Sequence, residues 1–109
     1  MLYLVIDKVK IDFVPVDMSL AQLKMLNQTF QMYKDYKENG KLKEMYAFAD
    51  NLGGITVWDA ESNEDLQKIL FLLPTMAFME REVHPSTTLD SVTNVVKELT
   101  DIVKSMPAK

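Results

Sequence analysis

The chain has 109 residues and a formal net charge of −4, so length sets an expectation of one domain, and the acidic balance without a basic cluster argues against nucleic acid as a partner. Hydrophobic residues make up 48% and charged residues 26%, the usual balance of a soluble globular protein. Cysteine is absent, which excludes disulfides, thiol catalysis and Cys-based metal sites and leaves the compartment open.

The N-terminal run Met1-Leu2-Tyr3-Leu4-Val5-Ile6 is apolar but short, and Asp7 follows at once. It reads as the start of a strand over 2–14 and not as a signal peptide or membrane span. A cytoplasmic location without membrane association is the expectation. Both faces of that strand are apolar near its start, as in a strand covered on two sides. Pro15 should end it. Helix one is expected from about Ser19 to Lys37 or Asn39. Ser19 and Gln22 have capping-box spacing, and Leu20, Leu23, Leu26, Phe30 and Tyr33 form an apolar stripe. Asn39-Gly40 should stop it with a left-handed glycine cap.

Residues 41–50 alternate as a strand, with Leu42, Glu44, Tyr46 and Phe48 on one face. Asp50-Asn51-Leu52-Gly53-Gly54 reads as a turn, and Ile55 to Ala60 as the partner strand of a hairpin. Helix two should start at Ser62, with Asp65 three residues on, and bury Leu66, Ile69, Leu70 and Leu73 before Pro74. A fourth strand is expected over 76–84, closed by Pro85. A third helix should run from about Thr88 to Ser105, with Leu89, Val92, Val95, Val96, Leu99, Ile102, Val103 and Met106 at helical spacing.

The order is βαββαβ plus a C-terminal helix, the split βαβ or ferredoxin-like arrangement. The fold class is therefore α+β: a four-stranded antiparallel sheet with two helices on one face. The domain is expected to take in all of residues 1–109, with its C-terminal helix over about 88–105. Strands one and three are apolar on both faces, so the second sheet face needs a cover. Helix three would cover about half of it. A homodimer packed sheet to sheet is the favoured expectation, with helix three buried as an integral part of the fold.

Over most of residues 2–85 the chain resembles the muconolactone isomerase family. The matching pieces are Pro15-Val16-Asp17-Met18, Gln22-Leu23-Lys24, Gly40, Val57-Trp58-Asp59 followed by Ser62, Leu73-Pro74, Met79 and Glu82-Val83. The resemblance implies a dimeric α+β barrel, which can assemble further into a ring of dimers. It also implies a small-molecule cleft between the sheet and its helices. The family enzyme carries histidines where this chain has Glu44 and Asn51, and an arginine where it has Ala47. These replacements remove positive charge, so muconolactone itself is expected to be a poor substrate.

A proton shift next to a carbonyl needs a base and a donor to the enolate oxygen. Glu44 is the candidate base, with Tyr46 as the donor two residues on and Lys24 as an attractor of a carboxylate substrate; the plainer alternative makes Glu44 and Lys24 ordinary surface charges near an edge of the sheet. Asn51 and Trp58 are further candidate ligand contacts, although Trp58 fits a core position equally. The single histidine, His84, shares a strand face with Glu80 and Glu82, an acid–base pair if that face lines a cleft and solvated charge if it lies at a rim. Asp7, among apolar residues on strand one, is another candidate buried acid, although a β-bulge would equally turn it outward. Eight methionines serve as core filler or as a pliable pocket. One histidine and a few carboxylates make a poor metal site, and neither a metal nor an organic cofactor is expected. The leading function is a proton-shift isomerase of a small carboxylate or lactone. The alternatives are a non-catalytic ligand-binding or structural barrel and a cofactor-free monooxygenase of the same fold.

Overall fold

Among the described residues seven elements follow one another: β1 (Leu2–Val9), α1 (Leu20–Glu38), β2 (Leu42–Ala47), β3 (Gly53–Asp59), α2 (Asn63–Leu72), β4 (Met79–Ser86) and α3 (Leu89–Ser105). The structure is a computed structural model that describes residues 1–10, 20–50, 52–74 and 79–107. The expected strand continuation to 14, the Ser19 cap and the start of the fourth strand at 76 lie outside the described residues. The sheet order is β2-β3-β1-β4, antiparallel throughout. This is the ferredoxin-like α+β arrangement. No helix among the described residues is long and apolar enough to cross a membrane.

One face of the sheet packs under α1 and α2. Tyr3, Val5, Leu42 and Trp58 from the sheet join Tyr33, Leu66, Ile69, Leu70 and Leu73 in one buried cluster. Trp58 is wholly buried, its ring edge-on to Tyr36 at 5.4 Å and to Tyr33 at 6.0 Å. Its indole N–H donates to Thr56 Oγ1 at 2.7 Å, which satisfies the polar atom that burial would otherwise leave unpaired. Trp58 is a core residue.

The helix ends follow the expected chemistry. Gly40 has φ +84°, and the N–H groups of Gly40 and Lys41 donate to the carbonyls of Lys37 and Tyr36, a Schellman closure of α1. Ser62 caps α2 by accepting from Asp65 N–H, and the Asp65 carboxylate accepts from Glu61 N–H. That backbone hydrogen bond is the main cause that holds Asp65 below the usual aspartate pKa.

Several details differ from the sequence reading. The buried stripe of α1 is Leu26, Thr29 and Tyr33, while Leu20, Leu23 and Phe30 are exposed. Thr29 is tolerated there because its hydroxyl donates to Met25 O at 2.9 Å. In β2 a bulge between Leu42 and Glu44 breaks the expected alternation. Leu42 therefore turns into the core opposite Trp58, while Glu44 and Tyr46 pair with Val57 and Ile55 on the other face. The glycine pair begins β3 instead of forming the turn. Pro85 lies inside β4, opposite Tyr3, which an edge strand permits because one side of its backbone needs no ladder partner.

The largest difference is α3. None of its residues is buried. The radius of gyration is 18.7 Å and the longest dimension 65 Å, against about 13 Å expected for the radius of a compact chain of this length. The helix stands off the domain and covers neither sheet face. Leu2, Leu4, Ile6, Ile55 and Val57 on the open face remain half-buried.

Candidate functional site

The site lies at the end of the sheet where β1, β2 and β3 meet under α1, with Met79 of β4 at its edge. Gly53 and Gly54 allow the strands to converge. A side chain on Gly53, which has φ +154°, would collide with the Asp7 carbonyl, and one on Gly54 with the Tyr46 carbonyl. A cavity of about 110 Å³ lies between this end of the sheet and α1, with both glycines in its lining. It compares with the roughly 150 Å³ engineered apolar cavity that takes up benzene. Phe30, Met45, Phe48, Leu52 and Met79 form its apolar walls, and Asp7, Thr29, Tyr33 and Thr56 supply its polar groups.

Asp7 is buried on the helix face of β1. Its cross-strand partner on β4 is Arg81, whose Nε donates to Asp7 Oδ1 at 2.6 Å, with the two side chains only 13% and 10% exposed. Arg81 Nη1 also donates to Leu70 O near the end of α2, a carbonyl that accepts the C-cap N–H of Leu73 as well. Nη2 is buried and has no hydrogen-bond partner among the described residues. Arg81 lines a second, more open cavity of about 580 Å³ between α2 and β4, and Met79 lines both. The ion pair thus stands between two cavities.

Tyr33 lies beside this pair. Burial pushes its pKa up to about 12, the Asp7 carboxylate pushes the same way and Arg81 opposes. At neutral pH the phenol keeps its proton and can act only as a hydrogen-bond donor or neutral acceptor. A buried carboxylate and a protonated phenol therefore share one apolar cavity, the combination that general-base chemistry with oxyanion stabilisation requires.

The candidates taken from sequence distribute differently. Glu44 and Tyr46 do come together, with the Tyr46 hydroxyl donating to Glu44 Oε2 at 3.4 Å. They sit on the open sheet face, not in the cavity under α1, which corrects the expectation that Tyr46 lines the cleft. His84 and Glu82 are 3.3 Å apart and more than half exposed, on edge strand β4 and the same open face, opposite Leu4 and Ile6. Lys24 is exposed on α1. Asn51 lies outside the described residues. No cluster of three or more metal-ligating side chains occurs among the described residues. Arg81 and Tyr33 are the functional candidates that sequence reasoning missed: Tyr33 reads as part of the apolar stripe of helix one, and Arg81 carries no local signal. Period two places it between Met79 and Val83 on the helix face, but only the β1–β4 register sets it opposite Asp7.

A four-stranded antiparallel sheet with two helices on one face and a cavity between them defines an α+β protein of ferredoxin-like build. Within that class the chain belongs to the muconolactone delta-isomerase family, whose family model matches residues 1–91. It is 30% identical over 82 residues to the Muconolactone Delta-isomerase of Acinetobacter baylyi, a match that spans 70% of this chain and 85% of the relative. A crystal structure of muconolactone isomerase superimposes with a TM-score of 0.66 at 28% identity, covering 80% of this chain and 94% of the other. The 5-chloro-2-hydroxyhydroquinone dehydrochlorinase of Burkholderia phenoliruptrix, in complex with 2,5-dihydroxybenzoquinone, has the same fold. Its TM-score is also 0.66, at 14% identity over 84% of this chain and 98% of that one.

Proposed function

We infer that the protein is a proton-shift isomerase of a small lactone or carboxylate, acting in the cavity under α1. Membership of an isomerase family supports the reaction class. The observation that carries the site is the pairing of buried Asp7 with a protonated Tyr33 in one apolar cavity. Asp7 removes a proton from the carbon next to a carbonyl. The charge moves to the carbonyl oxygen, where the Tyr33 hydroxyl stabilises it by hydrogen bonding. The same carboxylate then returns the proton to the far carbon of the conjugated system, so atoms and charge balance with no co-reactant. Arg81 acts as a positioning residue that fixes the Asp7 carboxylate through Oδ1.

The described lining of the cavity contains no lysine, arginine or histidine. Ala47, where the family resemblance implies an arginine, is part of that lining. A substrate carboxylate therefore finds no direct cation there, which favours a substrate other than muconolactone. The test is solvent deuterium uptake into small unsaturated lactones and acids, followed by proton NMR. Asp7→Asn should abolish uptake, and Tyr33→Phe should slow it by about 10²-fold or more. Undiminished uptake in Asp7→Asn, with the fold retained, refutes this site.

A second reading rests on the contact between Tyr46 and Glu44. Covering of the open sheet face by a second copy would enclose that pair, with Glu44 as the base. In that case Glu44→Gln, and not Asp7→Asn, would abolish uptake. Ligand binding without any exchange in the wild-type protein would leave a non-catalytic binding protein.

A further inference from the structure

The family match ends at residue 91, three residues into α3, so the helix needs an account of its own. Its apolar residues fall at Leu89, Val92, Val96, Leu99, Val103 and Met106. The intervals alternate three and four without a break, which is the heptad seam of a coiled coil. Leu89, Val96 and Val103 take the first core position of the heptad, and Val92, Leu99 and Met106 the second. Val95 and Ile102 flank the seam and widen it. All eight are exposed, by between 45% and 80%. The charged residues Asp90, Lys97, Glu98, Asp101 and Lys104 all project from the rest of the circumference. Thr88 caps the start of the helix by accepting from Ser91 N–H, and the helix continues for 17 residues. Such a length is marginal for a helix without packing.

We propose that α3 pairs in parallel with α3 of a second copy of this chain. The seam selects the occupant. β-branched Val96 and Val103 at two of the three first positions, with unbranched-at-Cβ Leu99 and Met106 at two of the three second positions, lean towards two parallel strands. The apolar stripes of α2 and of the core half of α1 are already used against the sheet, so α3 is the helix of this chain that offers a matching seam. A membrane surface is the weaker occupant, because the polar face carries three acids against two lysines and lacks the cationic bias that such helices use. Parallel pairing also sets the two domains side by side at the same end of the helix pair. There the open sheet face, whose Leu2 pairs with Ser86 at the root of α3, lies within reach of its counterpart. The proposal is independent of the catalytic reading.

Absence of cysteine allows a direct test in the full chain. In a parallel pair Leu99 meets Leu99, while Asn94 faces outward. Under mild oxidation, Leu99→Cys should form a disulfide-linked dimer at least about tenfold faster than Asn94→Cys, a difference of about 1.4 kcal/mol in activation free energy. Leu99→Asp should raise amide hydrogen exchange across α3 about tenfold or more, with the fold of the domain intact by circular dichroism. Equal cross-linking rates at the two positions overturn the proposal. So does faster linkage of Leu99→Cys to a Leu4→Cys partner than to itself, which would seat α3 on a sheet. Binding of monomeric wild-type chain to vesicles of mixed zwitterionic and anionic phospholipid, without cross-linking, overturns it in favour of a membrane surface.

Discussion

Arg81 on β4 donates through Nε to Asp7 on β1 at 2.6 Å, and with a second bond from Nη1 to Leu70 O it ties the sheet and the candidate site to the end of α2. The pair has both a structural and a functional consequence, and the two can be separated. Asp7→Ala leaves a guanidinium buried without its counter-charge and should cost about 3–5 kcal/mol in urea denaturation. The double replacement Asp7→Leu with Arg81→Met removes both charges and should recover most of that loss. It should stay inactive, because the base is gone. Recovery of activity along with stability would show that Asp7 serves the fold alone.

Alkaline pH should weaken the fold through Tyr33. Its pKa is raised to about 12 in the folded chain, against about 10 for an unfolded tyrosine. The folded state therefore holds this proton more tightly. The stabilisation is complete below pH 10 and is lost as pH rises through 10 towards 12. A difference of that size corresponds to about 2–3 kcal/mol. Urea midpoints measured across this window should fall in the wild type and fall less in Tyr33→Phe. Spectrophotometric titration should show one of the four tyrosines ionising later than the rest.

Gly53→Ala should damage both stability and site. The added Cβ meets the Asp7 carbonyl, and φ at this position is one that L residues rarely adopt. We expect a loss of more than about 1 kcal/mol in thermal melting. Deuterium uptake should fall further than stability accounts for, because β1 must shift where it carries Asp7. Gly40→Ala is the comparison: its Cβ would meet open space, so it should cost stability through its left-handed φ and leave chemistry alone.

Ser62→Ala should destabilise by about 1 kcal/mol, the usual worth of an N-cap. It removes the acceptor for Asp65 N–H. Because the cap lies at the far end of α2 from Arg81, deuterium uptake per folded molecule should stay unchanged.

Local chemistry made much of this protein legible in its sequence. Gly40, Ser62 with Asp65, and the stripe Leu66, Ile69, Leu70 and Leu73 each carry their signal within a few residues, and α2 forms as they specify. The order of elements is sufficient for the ferredoxin-like topology, because short right-handed connections leave few alternatives. Pieces from Gln22-Leu23-Lys24 to Glu82-Val83 were enough to point to the family.

Tertiary structure decided what depends on register and on long-range packing. A one-residue bulge after Leu42 turned Glu44 and Tyr46 away from the helices, because strand period two makes any insertion reverse the faces beyond it. Arg81 and Asp7 are 74 positions apart in the chain, and nothing local to either announces the other. The apolar stripe of α3 was plain in the sequence. That it would stand clear of its own domain was not, because periodicity states that a face must be buried and leaves open whether the same chain or another one buries it.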